Sequence, residues 1–269
     1  MALVAKLLLG AAGLYGLVVL AVFLLQGRLV FPAGMVPEGA PPPRAERATL
    51  VAEGGVRLAG VEIPPSTASA APPVVLGFAG NAWNADSMAT LLASLYPEAR
   101  IITFNYRGYA GSEGTPSADA LVADALSIEA DVRRRYPEAP LVLAGFSVGS
   151  GIAVKVAAAR KVDGLILVTP YDSLARVAGD AFRWLPTKLL FRHEIDAASA
   201  IRGTSAPVAL IAAADDTLIR PQRTAQLRAA VPNLVLSDSI AGADHNGIYQ
   251  MPAFQNAMRR ALAEILQAR

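Results

Sequence analysis

Residues 141–151 read LVLAGFSVGSG. The apolar run Leu141–Ala144 predicts a buried strand, and the alanine-rich run Ile152–Ala159 has the length and composition of a helix. Between them, Gly145-Phe146-Ser147-Val148-Gly149 must turn sharply. Glycine stands two residues before and two residues after Ser147, where a side chain would collide with neighbouring backbone. A serine on so tight a strand-to-helix turn carries its hydroxyl out at the sheet edge. The helix beginning just beyond it aims unpaired N–H groups and a positive dipole end at the same place, where an oxyanion would be stabilised. In a chain with 22 glycines the G-x-S-x-G pattern alone is weak, and the strand before it and helix after it give it weight.

A serine hydroxyl is a poor nucleophile at neutral pH without a base, and histidine is the usual one. The chain has two histidines. His245 lies in the polar, glycine-bracketed segment AGADHNG at 241–247, a loop from which a base can project over a sheet edge. His193 lies in FRHE at 191–194, inside a segment that reads as a small cap, and is read as a surface or packing residue. A buried carboxylate should orient the base. The strand Val208–Ala212 ends in AADDTLIRP at 213–221, and the C-terminal end of a parallel strand is where ligand sites form in open α/β sheets. Asp215 and Asp216 compete there, with Asp216 preferred; either could instead cap a turn. Two backbone N–H groups complete the expected site: Val148, directly after the serine, and Asn81, in the loop after the strand at 74–78.

Working outward, strands at 74–78, 101–104, 141–144, 165–168, 208–212 and 234–239 alternate with helices at 85–95, 117–136, 148–159 and 221–231, and a helix at 254–267 closes the chain. This alternation predicts an α/β fold with a mainly parallel sheet covered by helices on both faces. Residues 49–63 predict an antiparallel hairpin turning at Glu53-Gly54-Gly55, and 64–73 a small-residue loop. Residues 171–202 break the rhythm. Their apolar side chains, among them Phe182, Trp184 and Leu189, read as a cap able to hold an acyl chain or as packing on the sheet.

Hydrophobic residues make up 54% of the chain, and the mean hydropathy is +0.40. Much of this comes from Leu7–Leu25, nineteen residues without a charge, bracketed by Lys6 and Arg28. At ~1.5 Å per residue this run nearly spans a ~30 Å hydrocarbon core. It exceeds the h-region of a secretory signal and no clear A-x-A site follows, so 1–28 is expected to be an uncleaved membrane anchor. Residues 29–47, rich in proline and glycine, are read as a stalk, and 48–269 as one catalytic domain with a cap at about 171–202. Basic residues flank the run on both sides and do not choose its orientation.

A net charge of +2 gives no nucleic-acid footprint, and Arg133-Arg134-Arg135 reads as a solvated helix end. The absence of cysteine excludes a disulfide scaffold, a thiol nucleophile and a cysteine metal site. No phosphate-binding loop, zinc signature or dinucleotide fingerprint occurs, so neither cofactor nor metal is expected.

Several segments carry a resemblance, in order, over nearly the whole chain: LVFPAG (29–34), GFAGNAWN (77–84), FNYRGYAGSEGTPS (104–117), GFSVGSG (145–151), LVTPYDSL (167–174), ADDTLIRP (214–221) and GADHNGI (242–248). The chain resembles the α/β-hydrolase superfamily, and within it the membrane-anchored serine hydrolases of the Bem46 or ABHD13-like type. The order Ser147, Asp216, His245 is that of α/β-hydrolases. The resemblance implies the α/β-hydrolase fold, Asp216 as triad acid because Leu218-Ile219 and Pro221 follow it, and a catalytic domain on the extracytoplasmic side. The expected triad points to hydrolysis of an ester or thioester in a small-molecule acyl substrate, and the expected anchor, by its location alone, to a lipid-like one. A serine peptidase and a non-catalytic binding protein of the same fold are the alternatives. The chain departs from the family at Ala79, where a histidine usually braces the oxyanion loop, at Asn105, often aspartate, and at Ala110, often glycine.

Overall fold

A computed structural model describes residues 1–67 and 71–269. Residues 68–70 of the expected loop 64–73 lie outside the described residues. The chain builds α1 (Ala2–Val30), β1 (Glu46–Val51), β2 (Arg57–Ile63), β3 (Val74–Phe78), α2 (Ala85–Leu95), β4 (Arg100–Phe104), α3 (Ala118–Arg135), β5 (Leu141–Phe146) and α4 (Val148–Ala159). It continues through β6 (Gly164–Val168), α5 (Leu174–Ala181), α6 (Thr187–Leu190), α7 (Ala197–Ala200), β7 (Val208–Ala213), α8 (Pro221–Arg228), β8 (Leu234–Ile240) and α9 (Pro252–Ala268).

The eight strands form one sheet in the order β1-β2-β4-β3-β5-β6-β7-β8. β1, β2 and β4 pair antiparallel, and every pair from β4 to β8 is parallel. The middle strands β3, β5 and β6 are buried along their whole length, which is why they read as unbroken apolar runs rather than alternating ones. Helices close both faces. α2 starts where the Asn84 side chain accepts from the Ser87 N–H, and α3 where Ser117 does the same for Ala120.

The order of the strands sets the place of the site. From β3 the chain moves outward to β4, then returns across β3 to β5 and proceeds the other way. The C-terminal ends of β3 and β5 therefore flank a switch point, where a crevice opens in sheets of this kind.

Two expectations need amending. The segment 29–47 does not stand off as a spacer: Phe31 and Val36 are buried in the domain core. Arg133-Arg134-Arg135 is only partly a solvated end. Arg134 is exposed, but Arg135 turns inward to the Glu62 carboxylate, which Arg100 and the Tyr136 hydroxyl also reach. Burial alone would raise the Glu62 pKa; hydrogen bonds from Tyr136 and Arg135 and the Arg135 charge carry it below the ordinary carboxylate value.

α1 is 29 residues long and, among the described residues, the one helix long and apolar enough to cross a membrane. The cap holds α5, α6 and α7; of its apolar residues, Tyr171, Val177, Ile195 and Ile201 are buried in the domain core. Phe182, Trp184 and Leu189 are exposed, while Leu190 and Phe191 turn toward α1.

Candidate active site

Ser147 follows the last residue of β5 and precedes the first of α4, with φ +50° and ψ −119°. A non-glycine residue in this region is strained, and its neighbours hold it there. Its N–H donates to the Val168 carbonyl (2.9 Å), and the Ser150 hydroxyl donates to the Ser147 carbonyl (2.6 Å). The flanking glycines are required by close approach. A Cβ on Gly149 would stand 2.1 Å from the Phe78 carbonyl oxygen, and one on Gly145 would stand 2.5 Å from that of Gly149. The turn is thus wedged between β3 and α4, and only hydrogen fits at either side.

His245 Nε2 lies 3.1 Å from the Ser147 hydroxyl oxygen, and its Nδ1 lies 2.7 Å from an Asp216 carboxylate oxygen. His245 and Asp216 are buried. The second Asp216 oxygen accepts from the Leu218 and Ile219 N–H groups (2.9 and 2.7 Å), which fixes the direction of the carboxylate. Asp215, the competing residue, points to solvent, because successive side chains leave the end of β7 in opposite directions. The His245 loop is held by the Asp244 carboxylate, which accepts from the N–H groups of Asn246 and Gly247. The other histidine, His193, makes no hydrogen bond to this cluster. It packs edge-on against Phe31, and burial followed by the nearby Arg192 charge lowers its pKa.

Asn81 follows β3 and sits beside the serine: a Cβ on the adjacent Gly80 would lie 3.7 Å from the Ser147 Cβ. Among the described residues, neither the Asn81 nor the Val148 N–H donates to a protein acceptor. The Asn81 side chain is clamped at both ends. Its amide nitrogen donates to the Val30 carbonyl, and its oxygen accepts from the Tyr109 hydroxyl (2.9 Å). The Tyr106 hydroxyl donates to the Ala79 carbonyl (2.7 Å). Two tyrosines and the end of α1 therefore brace the loop in which the usual histidine is replaced by Ala79. Asn105 also has work: its oxygen accepts from the Ala85 N–H and its amide donates to the Ala110 carbonyl. Tyr106, Tyr109 and Val30 escaped the sequence reading. Their contacts with Asn81 and Ala79 cross 27 to 51 positions, and no local spacing announces them.

A family profile described as alpha/beta hydrolase fold matches residues 72–192. The chain is 32% identical to the uncharacterized protein Rv2307c of Mycobacterium tuberculosis (strain ATCC 25618 / H37Rv), over 92% of this chain and 90% of that one. It is 27% identical to the lysophosphatidylserine lipase ABHD12 of Danio rerio, over 69% of this chain and 57% of that one. Among solved structures it is similar to the Pyrococcus furiosus esterase Pf2001, with a TM-score of 0.68 and 17% identity, over 87% of this chain and 96% of that one. The profile, the sheet and these likenesses agree on one conclusion: the chain belongs to the α/β-hydrolase superfamily.

Proposed function

We propose that this α/β-hydrolase is a serine hydrolase that cleaves a carboxylic ester or thioester through an acyl-enzyme. The observation that carries the reading is the unbroken hydrogen-bonded line from the Ser147 hydroxyl through both nitrogens of His245 to Asp216. In this reading the Ser147 oxygen attacks the substrate carbonyl carbon while His245 Nε2 takes the hydroxyl proton. Asp216 holds the tautomer that leaves Nε2 free to accept, and steadies the imidazolium that forms. The carbonyl oxygen becomes an oxyanion and turns toward the N–H groups of Val148 and Asn81, aided by the start of α4. The C–O or C–S bond then breaks, and His245 gives its proton to the leaving alcohol or thiol. Water repeats the cycle on the acyl-serine, releasing the acid and restoring Ser147.

The lipase named among the relatives and the apolar α1 support an acylated substrate met at a membrane. We read α1 as a single-pass anchor with the catalytic domain on the extracytoplasmic side, in keeping with the resemblance to Bem46 or ABHD13-like hydrolases. The test sets p-nitrophenyl esters and thioesters beside peptide anilides. Hydrolysis of the esters, lost by at least about 10³-fold in Ser147→Ala, is expected. Anilide cleavage without ester cleavage would assign a peptidase instead, and an inert protein would reduce the fold to a binding module.

A further inference from the structure

A cavity of about 370 Å³ runs between α1 and the cap. Val19, Val22 and Phe23 of α1 form one wall; Phe182, Leu185 and Leu190 of the cap form the other. From Val19 to Val30 it follows twelve residues of helix, a rise of ~16 Å. Gln26, Thr187 and Trp184 are the lining residues with a polar side-chain atom, and the Gln26 amide is already engaged. It donates to the Leu190 carbonyl (3.1 Å) and accepts from the Arg192 N–H (2.8 Å). The volume falls within the usual range for a small-molecule site, and the chemistry of the walls asks for hydrocarbon.

Position says where that hydrocarbon comes from. Val19, Val22 and Phe23 belong to the charge-free run Leu7–Leu25, the part of α1 that a bilayer core would enclose. The cap follows α1 down into that run, since the Tyr15 hydroxyl donates to the Trp184 carbonyl (2.8 Å). With α1 in a bilayer, the cap tip sits at the level of lipid. Its composition fits: Phe182 and Trp184 are about half exposed, at 50% and 52%, and Leu189 is 85% exposed. The other end of the cavity is Val30, whose carbonyl holds the Asn81 side chain beside Ser147. One end of the cavity thus lies at the level of lipid, and the other ends at Val30, one hydrogen bond from Asn81.

We infer that this cavity is the acyl-chain site: one acyl chain of a membrane amphiphile enters beside Phe182 and Trp184, lies along α1, and brings its ester or thioester carbonyl past Val30 to Ser147. The inference rests on the serine-hydrolase reading and adds to it the substrate class and the route. It also makes α1 a wall of the binding site as well as a tether.

A long-chain alkyl fluorophosphonate with a diazirine at the far end of its tail tests this in the full-length protein in lipid nanodiscs. The head reacts with the nucleophile; illumination then ties the tail to whatever surrounds it. The expected result is a head on Ser147 and crosslinks on cavity residues of both walls, such as Val22 and Phe182. A head on Ser147 with crosslinks elsewhere would overturn the acyl-chain site and leave the hydrolase intact; no reaction at Ser147 would sink the hydrolase reading itself. In parallel, Ala178→Phe and Val22→Phe each fill the cavity from one wall. Both should hydrolyse p-nitrophenyl acetate within about twofold of wild type and lose at least tenfold on the palmitate ester, since each buried methylene is worth up to about fourfold. Unchanged preference for palmitate in both variants, with acetate hydrolysis intact, would refute the site.

Discussion

At the scale of the residue, Ser147 concentrates the physics. Its positive φ is a cost that the turn tolerates because Gly145 and Gly149 let β3, β5 and α4 close around it. Gly149→Ala should therefore lower stability by roughly 2–4 kcal/mol, since a Cβ there meets backbone that cannot step aside. Thermal denaturation checks this; a variant as stable as wild type would mean that the turn is looser than its distances say. These residues were legible because the restriction is local, a matter of glycine at fixed offsets from one serine. The choice of Asp216 over Asp215 was half legible. Chemistry asked for a carboxylate after β7, but which of two neighbours faced His245 depended on how the chain leaves the strand. The pair of turn N–H groups on Asp216 settles its direction.

At the scale of the element, the loop after β3 that carries Asn81 is held from three directions, by Tyr106, by Tyr109 and by the end of α1. Tyr109→Phe removes the donor to the Asn81 side-chain oxygen and nothing from the reacting atoms. The expected outcome is a kcat about 3–10-fold lower at an unchanged KM, the cost of one hydrogen bond that positions the loop. A raised KM with unaltered kcat would show instead that Tyr109 shapes substrate binding. The central strands were readable because buried parallel strands are unbroken apolar runs, and α2 and α3 because they carry their caps. The seating of α1 on the cap was not readable. Leu190 and Phe191 look alike whether they face a sheet, a helix or lipid, and only the tertiary structure distinguishes these.

At the scale of the whole molecule, the topology does what no single motif can. It carries Asn81, Ser147, Asp216 and His245, which span 165 positions of the chain, to one rim of the sheet. Opposite demands are met at the other end, where Glu62 on β2 ties together β4 and the end of α3 through Arg100, Arg135 and Tyr136. Its pKa is lowered by folding, so its contribution is fully present above the ordinary carboxylate pKa of about 4.3 and is lost as pH falls through the folded value. Glu62→Gln should then melt well below wild type at pH 7, by roughly 2–4 kcal/mol, with the gap narrowing below about pH 4. A gap independent of pH would assign the loss to packing rather than charge. The sequence reading held the fold and the three polar partners of the rim together. It had no means of seeing Glu62 as a hub, because its partners lie 38 to 74 positions away. The most direct measurement is mass spectrometry of the protein after reaction with a small fluorophosphonate, in wild type and in His245→Ala. One adduct on Ser147, formed at least about 10³-fold more slowly without the imidazole, is predicted. An unmodified Ser147, or one that reacts as fast in His245→Ala, would contradict the account.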